Sequence, residues 1–207
     1  MKLYGLAPTR TVRVEWMLRE SDVDFEYVQV DPRKGELHRP DFLALNPAGK
    51  LPVLVDGDFV LNESVAIVLY LAEKYPLKGF LPTDLRARAE VYRWLLFTAT
   101  ELEQPVWRIA RHTNVYPIEK RLPAEIPIAR QDFLDMAAVM EKHLETREVL
   151  VGENVTVADF VAAYTLDMAS MVPLLETLPN LRAYMERMYS RPKAPQRIAQ
   201  AFANLRG

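Results

Sequence analysis

The spacing of hydrophobic and polar positions changes once along the chain, near residue 71. Before this point, short β-rich runs alternate with short helical ones, and after it the period is helical throughout. The pattern predicts a strand over residues 2–6, a helix over 12–20 and a second strand over 25–30. These three elements make a βαβ unit.

The next elements predict that the sheet is mixed. A short helix is predicted at 39–45, where Pro40 suits the first turn. Two further strands, 51–55 and 59–61, flank Asp56-Gly57, which is a tight hairpin signal. A helix with Ser64 as its N-cap follows, and residues 75–82 interrupt the pattern as a linker.

The second part of the chain is predicted to be all helical. Thr83 or Asp84 can cap a long helix that runs toward His112, and Thr156 can open a later one. The remaining predicted helices are 126–144, 180–189 and 196–205. A βαβ unit, a short helix, a hairpin and a helix make a thioredoxin-like α/β domain at 1–76, followed by an all-α helical domain at 85–207.

Composition and charge exclude several classes of function. The 207 residues carry 26 Lys and Arg against 28 Asp and Glu, a net charge of -2, which gives no electrostatic case for nucleic acid or an anionic bilayer. The chain has no cysteine, so it has no disulfide framework, thiolate metal site or cysteine nucleophile, and any thiol must belong to a ligand. The first residues resemble no targeting signal and no apolar run approaches eighteen residues, so we expect a cytoplasmic protein without a metal.

Four segments carry a resemblance to a known family. They are NPAGKLPVL at 46–54, Glu63-Ser64 at the next helix start, VTVAD at 155–159 and TRTVRVEWMLRE at 9–20. In this order and spacing the chain resembles the soluble glutathione transferases, in a bacterial-like form, over essentially its whole length. The resemblance implies an enzyme of detoxification that conjugates the glutathione thiol to small hydrophobic electrophiles, and a homodimer.

The resemblance places glutathione on the first domain. It implies that Pro52 is cis, so that the Leu51 main chain faces outward and pairs with the cysteinyl backbone of glutathione as an added strand. It also implies that Ser64 holds the γ-glutamyl carboxylate at a helix N-terminus and that Glu63 orients that end. A plain capping role for Glu63-Ser64 is compatible with this one.

The glycyl carboxylate of glutathione needs a cation. Lys50 stands where the family places a glutamine or a basic residue, and His38 aligns with a basic contact in some plant-type members. Arg39 is a further candidate for the cation that contacts the glycyl carboxylate. A solvated loop lysine and a surface histidine are the alternative interpretations.

For thiol activation the resemblance favours Thr9, which occupies the position of the motif's first serine, with Arg10 adding positive potential. Thr9 or Thr11 can also serve simply as the cap of the first helix. Tyr4 is a rival phenol. Pro8 departs from the family pattern, because it occupies the serine position of the Ser-x-Cys classes.

The second substrate is expected between the domains, on the first stretch of the long helix, and the candidate residues lie around the proposed end of that helix. An aromatic and basic group there suits an anionic aromatic electrophile: Trp107, Arg108, Arg111, His112 and Tyr116. Packing and solvation are the alternative explanation, since Trp107 and Arg111 are an i, i+4 pair.

Thr156 and Asp159 have the spacing of a capping box, so we interpret them as structural residues. Two other functions remain open. One is a glutathione-binding or protein-binding scaffold without catalysis. The other is a different glutathione-dependent reaction, such as isomerisation, dehalogenation or peroxide reduction.

Overall fold

The computed structural model describes residues 1–205, which separate into two compact units. The first unit comprises Met1–Leu81 together with the described residues from Arg191 onward, and the second comprises Pro82–Ser190. No helix among residues 1–205 has both the length and the apolar composition that crossing a bilayer requires.

A four-stranded mixed sheet organises the first unit, in the order β2-β1-β3-β4. Strands β1 and β2 are parallel, whereas β1–β3 and β3–β4 are antiparallel. The strands are β1 (Lys2–Gly5), β2 (Glu26–Gln29), β3 (Val53–Asp56) and β4 (Phe59–Asn62). The helices of this unit are α1 (Thr11–Glu20), α2 (Pro40–Leu45), α3 (Ser64–Lys74) and α9 (Ile198–Asn204). The predicted thioredoxin-like arrangement is confirmed.

Both faces of the sheet are covered by apolar side chains. Helix α1 buries Val12, Val14 and Trp16 completely or nearly so, and α3 buries Ile67 and Leu71. A separate cluster of buried side chains joins the sheet to α2. It consists of Val30, Phe42 and Val53, with Tyr4 and Leu37 packed against it. This burial of apolar area on both sides stabilises the sheet and fixes the loops at its ends.

Gly5 permits a close approach between the sheet and α1. A Cβ atom at this position would lie 2.0 Å from Cγ2 of Thr11, the first residue of α1. Only a residue without a side chain can therefore end β1 directly beneath the start of this helix. The same packing positions the short loop that contains Thr9.

The hairpin turn lies one residue later than predicted. Asp56 is the last residue of β3 and pairs with Phe59, so the two-residue turn is Gly57-Asp58. Gly57 has a φ of 68°, a backbone conformation that glycine adopts without a steric penalty. The prediction of a tight hairpin was right, and its register was wrong by one position.

The second unit contains five α-helices within the described chain: α4 (Leu85–Phe97), α5 (Glu103–Ala110), α6 (Glu125–His143), α7 (Val157–Ser170) and α8 (Pro179–Tyr189). Asp84 caps α4, because its Oδ1 accepts a hydrogen bond from the Ala87 amide at 2.9 Å. Of the two predicted caps, the structure therefore selects Asp84.

Two wide, π-helical turns interrupt the long helix predicted in this region, at Thr98–Leu102 and at Arg111–Val115. Pro105 explains the first turn. It has no amide hydrogen, and its ring would crowd the carbonyl four residues earlier, so the backbone widens ahead of it. The Glu103 amide bonds to the Thr98 carbonyl, five residues back.

Candidate functional site

Three loops of the first unit meet at one end of the sheet. Tyr4 pairs with Val53, and Val53 pairs with Asn62. The register therefore brings together the residues that follow β1, those that precede β3 and those that follow β4. These are the loop that contains Thr9, the Leu51-Pro52 segment and the Glu63-Ser64 pair.

The Leu51-Pro52 peptide bond is cis, as predicted. Among residues 1–205, the amide and carbonyl of Leu51 have no hydrogen-bond partner. The preceding loop is fixed by Asn46, which is 5 % exposed and whose side chain bonds to the Lys50 carbonyl and the Ala48 amide at 2.8 and 3.1 Å. A fixed backbone with free donors and acceptors suits strand-like pairing with a peptide.

The start of α3 differs from the prediction. Glu63, not Ser64, occupies the N-cap position, with a φ of 68° and no capping hydrogen bond from its side chain. Ser64 is the first helical residue, so the prediction that it caps the helix was wrong. The amides of Ser64, Val65 and Ala66 have no partner among residues 1–205. An uncapped helix N-terminus attracts an anion.

Arg13 positions the Ser64 hydroxyl. This arginine lies on α1 and is 1 % exposed, and its Nη1 donates to Ser64 Oγ at 3.2 Å. The bond directs the hydroxyl oxygen toward Arg13 and brings a buried positive charge close to the α3 N-terminus. The sequence placed Arg13 in the family motif, but its role went unassigned.

Thr9 lies in the turn before α1 and is partly buried. Its hydroxyl donates to the Leu6 carbonyl at 2.6 Å and lies 2.8 Å from the Thr11 hydroxyl. Arg10 occupies the N-cap position without a capping side-chain bond, and Thr11 is the first helical residue. Neither threonine occupies the N-cap position, although Thr9 Oγ1 accepts a hydrogen bond from the Thr11 amide, the first of α1, at 3.4 Å.

The rival phenol, Tyr4, points into the cluster that joins the sheet to α2. It lines a cavity of about 430 Å³ with Val30, Phe42 and other residues, and Thr9 is not among them. Pro8 follows a second cis peptide bond, Ala7-Pro8.

The candidate cations for a glycyl carboxylate differ in their surroundings. Lys50 and His38 are both exposed, and His38 lies near Gly49, since a Cβ there would be 3.8 Å from its Cε1. The guanidinium of Arg39 is instead paired with Asp41 at 2.7 Å. Lys50 and His38 therefore flank one loop, and Arg39 is already compensated.

Comparison with known proteins decides the family. Models of the glutathione S-transferase N-terminal and C-terminal domains match residues 1–73 and 106–192. Glutathione S-transferase 3 of Zea mays is 34% identical over 209 residues, covering 96% of this chain and 93% of its own, and the mouse theta-1 enzyme is 32% identical over 188 residues, covering 87% and 78%.

The chain belongs to the glutathione S-transferase family. The solved structure of glutathione transferase F7 from Populus trichocarpa has a TM-score of 0.84 and 29% identity, and covers 97% of this chain and 98% of its own. The solved structure of the glutathione transferase URE2P6 from Phanerochaete chrysosporium, in complex with oxidized glutathione, has a TM-score of 0.84 and 26% identity. The match covers 98% of this chain and 94% of that one. The predicted family, enzyme class and cosubstrate, a transferase that uses glutathione, are confirmed.

The residues predicted for the second substrate of this transferase fall into two groups. Arg108 is compensated: its Nη1 lies 2.5 Å from an oxygen of Asp132, and its Nη2 lies 2.9 Å from one of Glu125. The structure brings the other four into one group, in which the Arg111 guanidinium faces two aromatic rings and the His112 ring lies 5.3 Å from that of Tyr116. The two carboxylates that pair with Arg108 could not be predicted from the sequence, because both lie on a different helix, α6.

The Thr156–Asp159 capping box of this transferase is present, as predicted. Asp159 is fully buried, and burial raises the pKa of its carboxyl, although four hydrogen bonds oppose that effect. One oxygen accepts from the Thr156 amide and hydroxyl at 2.7 and 2.9 Å. The other accepts from the Leu150 amide and the Tyr184 hydroxyl at 2.9 and 2.8 Å.

Proposed function

We propose that this glutathione transferase binds glutathione across the end of the sheet in the first unit, with residues 1–76 acting as the glutathione-binding domain and 85–207 as the helical part of the chain, of which the described residues from Arg191 onward belong to the first compact unit. The observation that carries the proposal is the uncapped N-terminus of α3 beside the unpaired backbone of Leu51. The first attracts a carboxylate and the second pairs with a peptide main chain. Glutathione has both groups.

The tripeptide then has one orientation. Its γ-glutamyl carboxylate receives hydrogen bonds from the α3 amides and from Ser64, and its ammonium group lies near the exposed carboxylate of Glu63. Its cysteinyl main chain pairs with Leu51, ahead of Pro52. Its glycyl carboxylate lies near Lys50, with His38 on the neighbouring turn.

This orientation directs the cysteinyl thiol toward the loop that contains Thr9 and Arg10. A free thiol has a pKa of about 8.5, and lowering it by roughly two units requires about 2.7 kcal/mol of extra stabilisation of the thiolate. The Thr9 hydroxyl donates a hydrogen bond to the sulfur, and the N-terminus of α1 with Arg10 adds positive potential. The thiolate then attacks a small hydrophobic electrophile.

We expect the Ser64→Ala variant to remain folded and to bind glutathione about tenfold more weakly, because the carboxylate loses one donor and Arg13 loses its oriented partner. Isothermal titration calorimetry measures the change. Ser170→Ala, at an exposed helix end, is the control. Equal affinity of Ser64→Ala and wild type would show that the carboxylate binds elsewhere.

The activity itself is tested on the wild-type protein. We expect glutathione to raise the temperature of thermal unfolding, and a panel of aryl halides, enones and epoxides to give conjugates with at least one class. Binding without turnover of any electrophile would favour the scaffold alternative. Consumption of a haloacid or a peroxide with no conjugate would favour another glutathione-dependent reaction.

We also propose a cytoplasmic homodimer, in keeping with a family whose members are typically dimeric. Phe59 and Val60 of the edge strand β4 are 45% and 38% exposed, which is unusual for two large apolar neighbours and favours burial against a partner. Sedimentation at micromolar concentration should give about twice the chain mass of 23.8 kDa. A single species of the chain mass across that range would exclude the dimer.

A further inference from the structure

The segment that connects β2 to α2 has few buried contacts of its own. None of the ten residues 32–41 is buried, and the buried anchors are the residues on either side, Asp31 and Phe42. Leu37 packs only partly, against the cluster beneath α2. A surface segment of this kind opens easily unless hydrogen bonds hold it. The position of the turn Glu36–His38 therefore depends on polar contacts.

Arg33 and Asp31 supply these contacts. The Nε and Nη2 atoms of Arg33 donate to the two carboxylate oxygens of Asp31 at 3.0 and 2.8 Å, and the Arg33 amide donates to one of them at 2.9 Å. The Asp31 amide in turn donates to the Glu36 carboxylate at 2.6 Å. Hydrogen bonds from the Arg33 side chain lower the pKa of Asp31 to about 2, so the pair stays charged at neutral pH. This network connects Arg33 to the start of the Glu36–His38 turn.

The same guanidinium also contacts the C-terminal helix. Its Nη1 donates to the Leu205 carbonyl at 3.0 Å, directly after the last residue of α9. A cation is favourable at a helix C-terminus, because the last carbonyls have no partner within the helix. The planar, forked donors of arginine can bond to a carboxylate and a carbonyl at once. Arg33 therefore joins α9 to the segment that follows β2.

Helix α9 is itself fixed on the first unit. Its residues Ile198 and Ala201 are buried. Ahead of the helix, Arg191 donates from Nε and Nη2 to the two carboxylate oxygens of Glu20, at the end of α1, at 2.7 and 2.8 Å. All of these residues belong to the first unit. The C-terminal segment can therefore serve as a support for Arg33.

The turn Glu36–His38 lies against the loop that carries Lys50. A Cβ atom on Gly49 would be 3.3 Å from the Leu37 carbonyl oxygen and 3.8 Å from Cε1 of His38. The turn and the loop are thus in close contact, and a displacement of the turn would carry His38 away from Lys50. These are the two side chains assigned above to the glycyl end of glutathione.

We propose that α9, acting through Arg33 and Asp31, holds the Glu36–His38 turn in the position that receives the glycyl carboxylate of glutathione. The inference rests on the proposed function, because it concerns the same binding site. Arg33 is a positioning residue, since it acts through the turn and not by contact with the ligand. Affinity for the glycyl end falls in proportion to the fraction of molecules in which the turn is in place.

The test compares two ligands that differ only at the glycyl end. S-Methylglutathione has the glycyl carboxylate, whereas S-methyl-γ-glutamylcysteinamide ends in a neutral amide and lacks the glycine. Isothermal titration calorimetry gives both dissociation constants, and their ratio measures the contribution of the glycyl end. We expect wild type to prefer S-methylglutathione about tenfold. Arg33→Ala should lower this preference about fivefold and leave the affinity for the shorter ligand unchanged.

Two further variants test the role of α9. Ile198→Ala weakens the docking of α9 without altering the Arg33 network directly, and it should lower the preference in the same direction. Arg19→Ala is the matched control, since it removes another exposed arginine of the first unit, one that is paired with Glu15, and its preference should equal that of wild type. Equal weakening of both ligands in Arg33→Ala, or an unchanged preference in Arg33→Ala or Ile198→Ala, would overturn the proposal.

Hydrogen exchange of the full chain provides a test without ligand, which also applies if Ile198→Ala does not fold. The His38 and Leu205 amides donate to the Gly35 and Ala201 carbonyls, and Arg33→Ala should accelerate exchange of both amides about fivefold. Acceleration at neither or only one of them would overturn the coupling. Coupled acceleration, with neither ligand bound by wild type, would retain the support by α9 and contradict the proposed function. Binding of both ligands with a preference that Arg33→Ala leaves unchanged would do the reverse.

Discussion

Replacing Asp159 with alanine is expected to lower the free energy of unfolding by roughly 3 to 5 kcal/mol. The carboxylate accepts four hydrogen bonds, from the Leu150 amide, the Thr156 amide and hydroxyl, and the Tyr184 hydroxyl. All of these groups are buried, so removing the acceptor leaves their donors without a hydrogen-bond partner in a place that water does not reach. Urea denaturation followed by circular dichroism measures the loss.

Two further variants make the Asp159 result interpretable. Asp135→Ala, on the exposed face of α6, removes a carboxylate that within residues 1–205 accepts only from Gln131, and it should change stability by less than about 0.5 kcal/mol. Tyr184→Phe removes one of the four donors and should cost about 1 kcal/mol, which is measurable even if Asp159→Ala does not fold. Wild-type stability in Asp159→Ala would mean that the network does not hold the second unit together.

Thr9→Val is expected to reduce the rate of conjugation about 10²-fold and to raise the pH midpoint of turnover. Loss of a donor to the thiolate raises the pKa of the bound thiol, so a higher pH is needed to ionise it. Glutathione affinity should be nearly unchanged, because binding rests on other residues. The measurement is a pH–rate profile at saturating glutathione.

The hydrogen bonds around Thr9 are compatible with this role. The Thr9 hydroxyl donates its hydrogen bond to the Leu6 carbonyl, and this carbonyl also accepts a hydrogen bond from the Thr9 amide at 2.9 Å. Rotation of the hydroxyl toward sulfur therefore leaves that carbonyl satisfied, and the Thr11 hydroxyl can donate to the Thr9 oxygen at 2.8 Å. A donor that itself accepts a hydrogen bond is polarised and becomes a stronger donor.

Thr9→Ser keeps the donor and should retain activity. Thr100→Val is the control for loss of a hydroxyl that bonds to a carbonyl, in this case that of Leu96. A profile of Thr9→Val that superimposes on that of wild type would remove Thr9 from the mechanism. Arg10 and Tyr4 would then be tested in turn.

The elements of the fold could be predicted because local chemistry specifies them. The spacing of hydrophobic residues distinguishes strand segments from helical ones. Asp84 and Thr156 cap the helices that follow them, and the cis Pro52 precedes β3 as the resemblance implies. The hairpin register was missed, because Asp56-Gly57 and Gly57-Asp58 are both acceptable two-residue turns. The choice between them depends on which residues of β3 and β4 pair.

The details of the site depend on contacts between distant segments, which a single sequence does not reveal. Ser64 has the composition of an N-cap, yet the positive φ of Glu63 moves the helix start by one residue. Arg13 is buried and donates to Ser64, 51 positions away, and its place on an amphipathic helix gave no sign of this contact. The compensation of Arg108 depends in the same way on carboxylates that fold back from α6.

The contact between Arg111 and Tyr116 depends on the wide turn that separates them. In a regular α-helix each residue advances by about 100°, so side chains five positions apart would point about 140° away from each other. Here the Tyr116 amide bonds to the Arg111 carbonyl at 2.9 Å, and this closes the turn with one more residue than an α-helical turn contains. The angular phase of the helix, and not the identity of its residues alone, therefore encodes the contact, and a regular α-helix through the same residues would carry the same side chains without bringing them together.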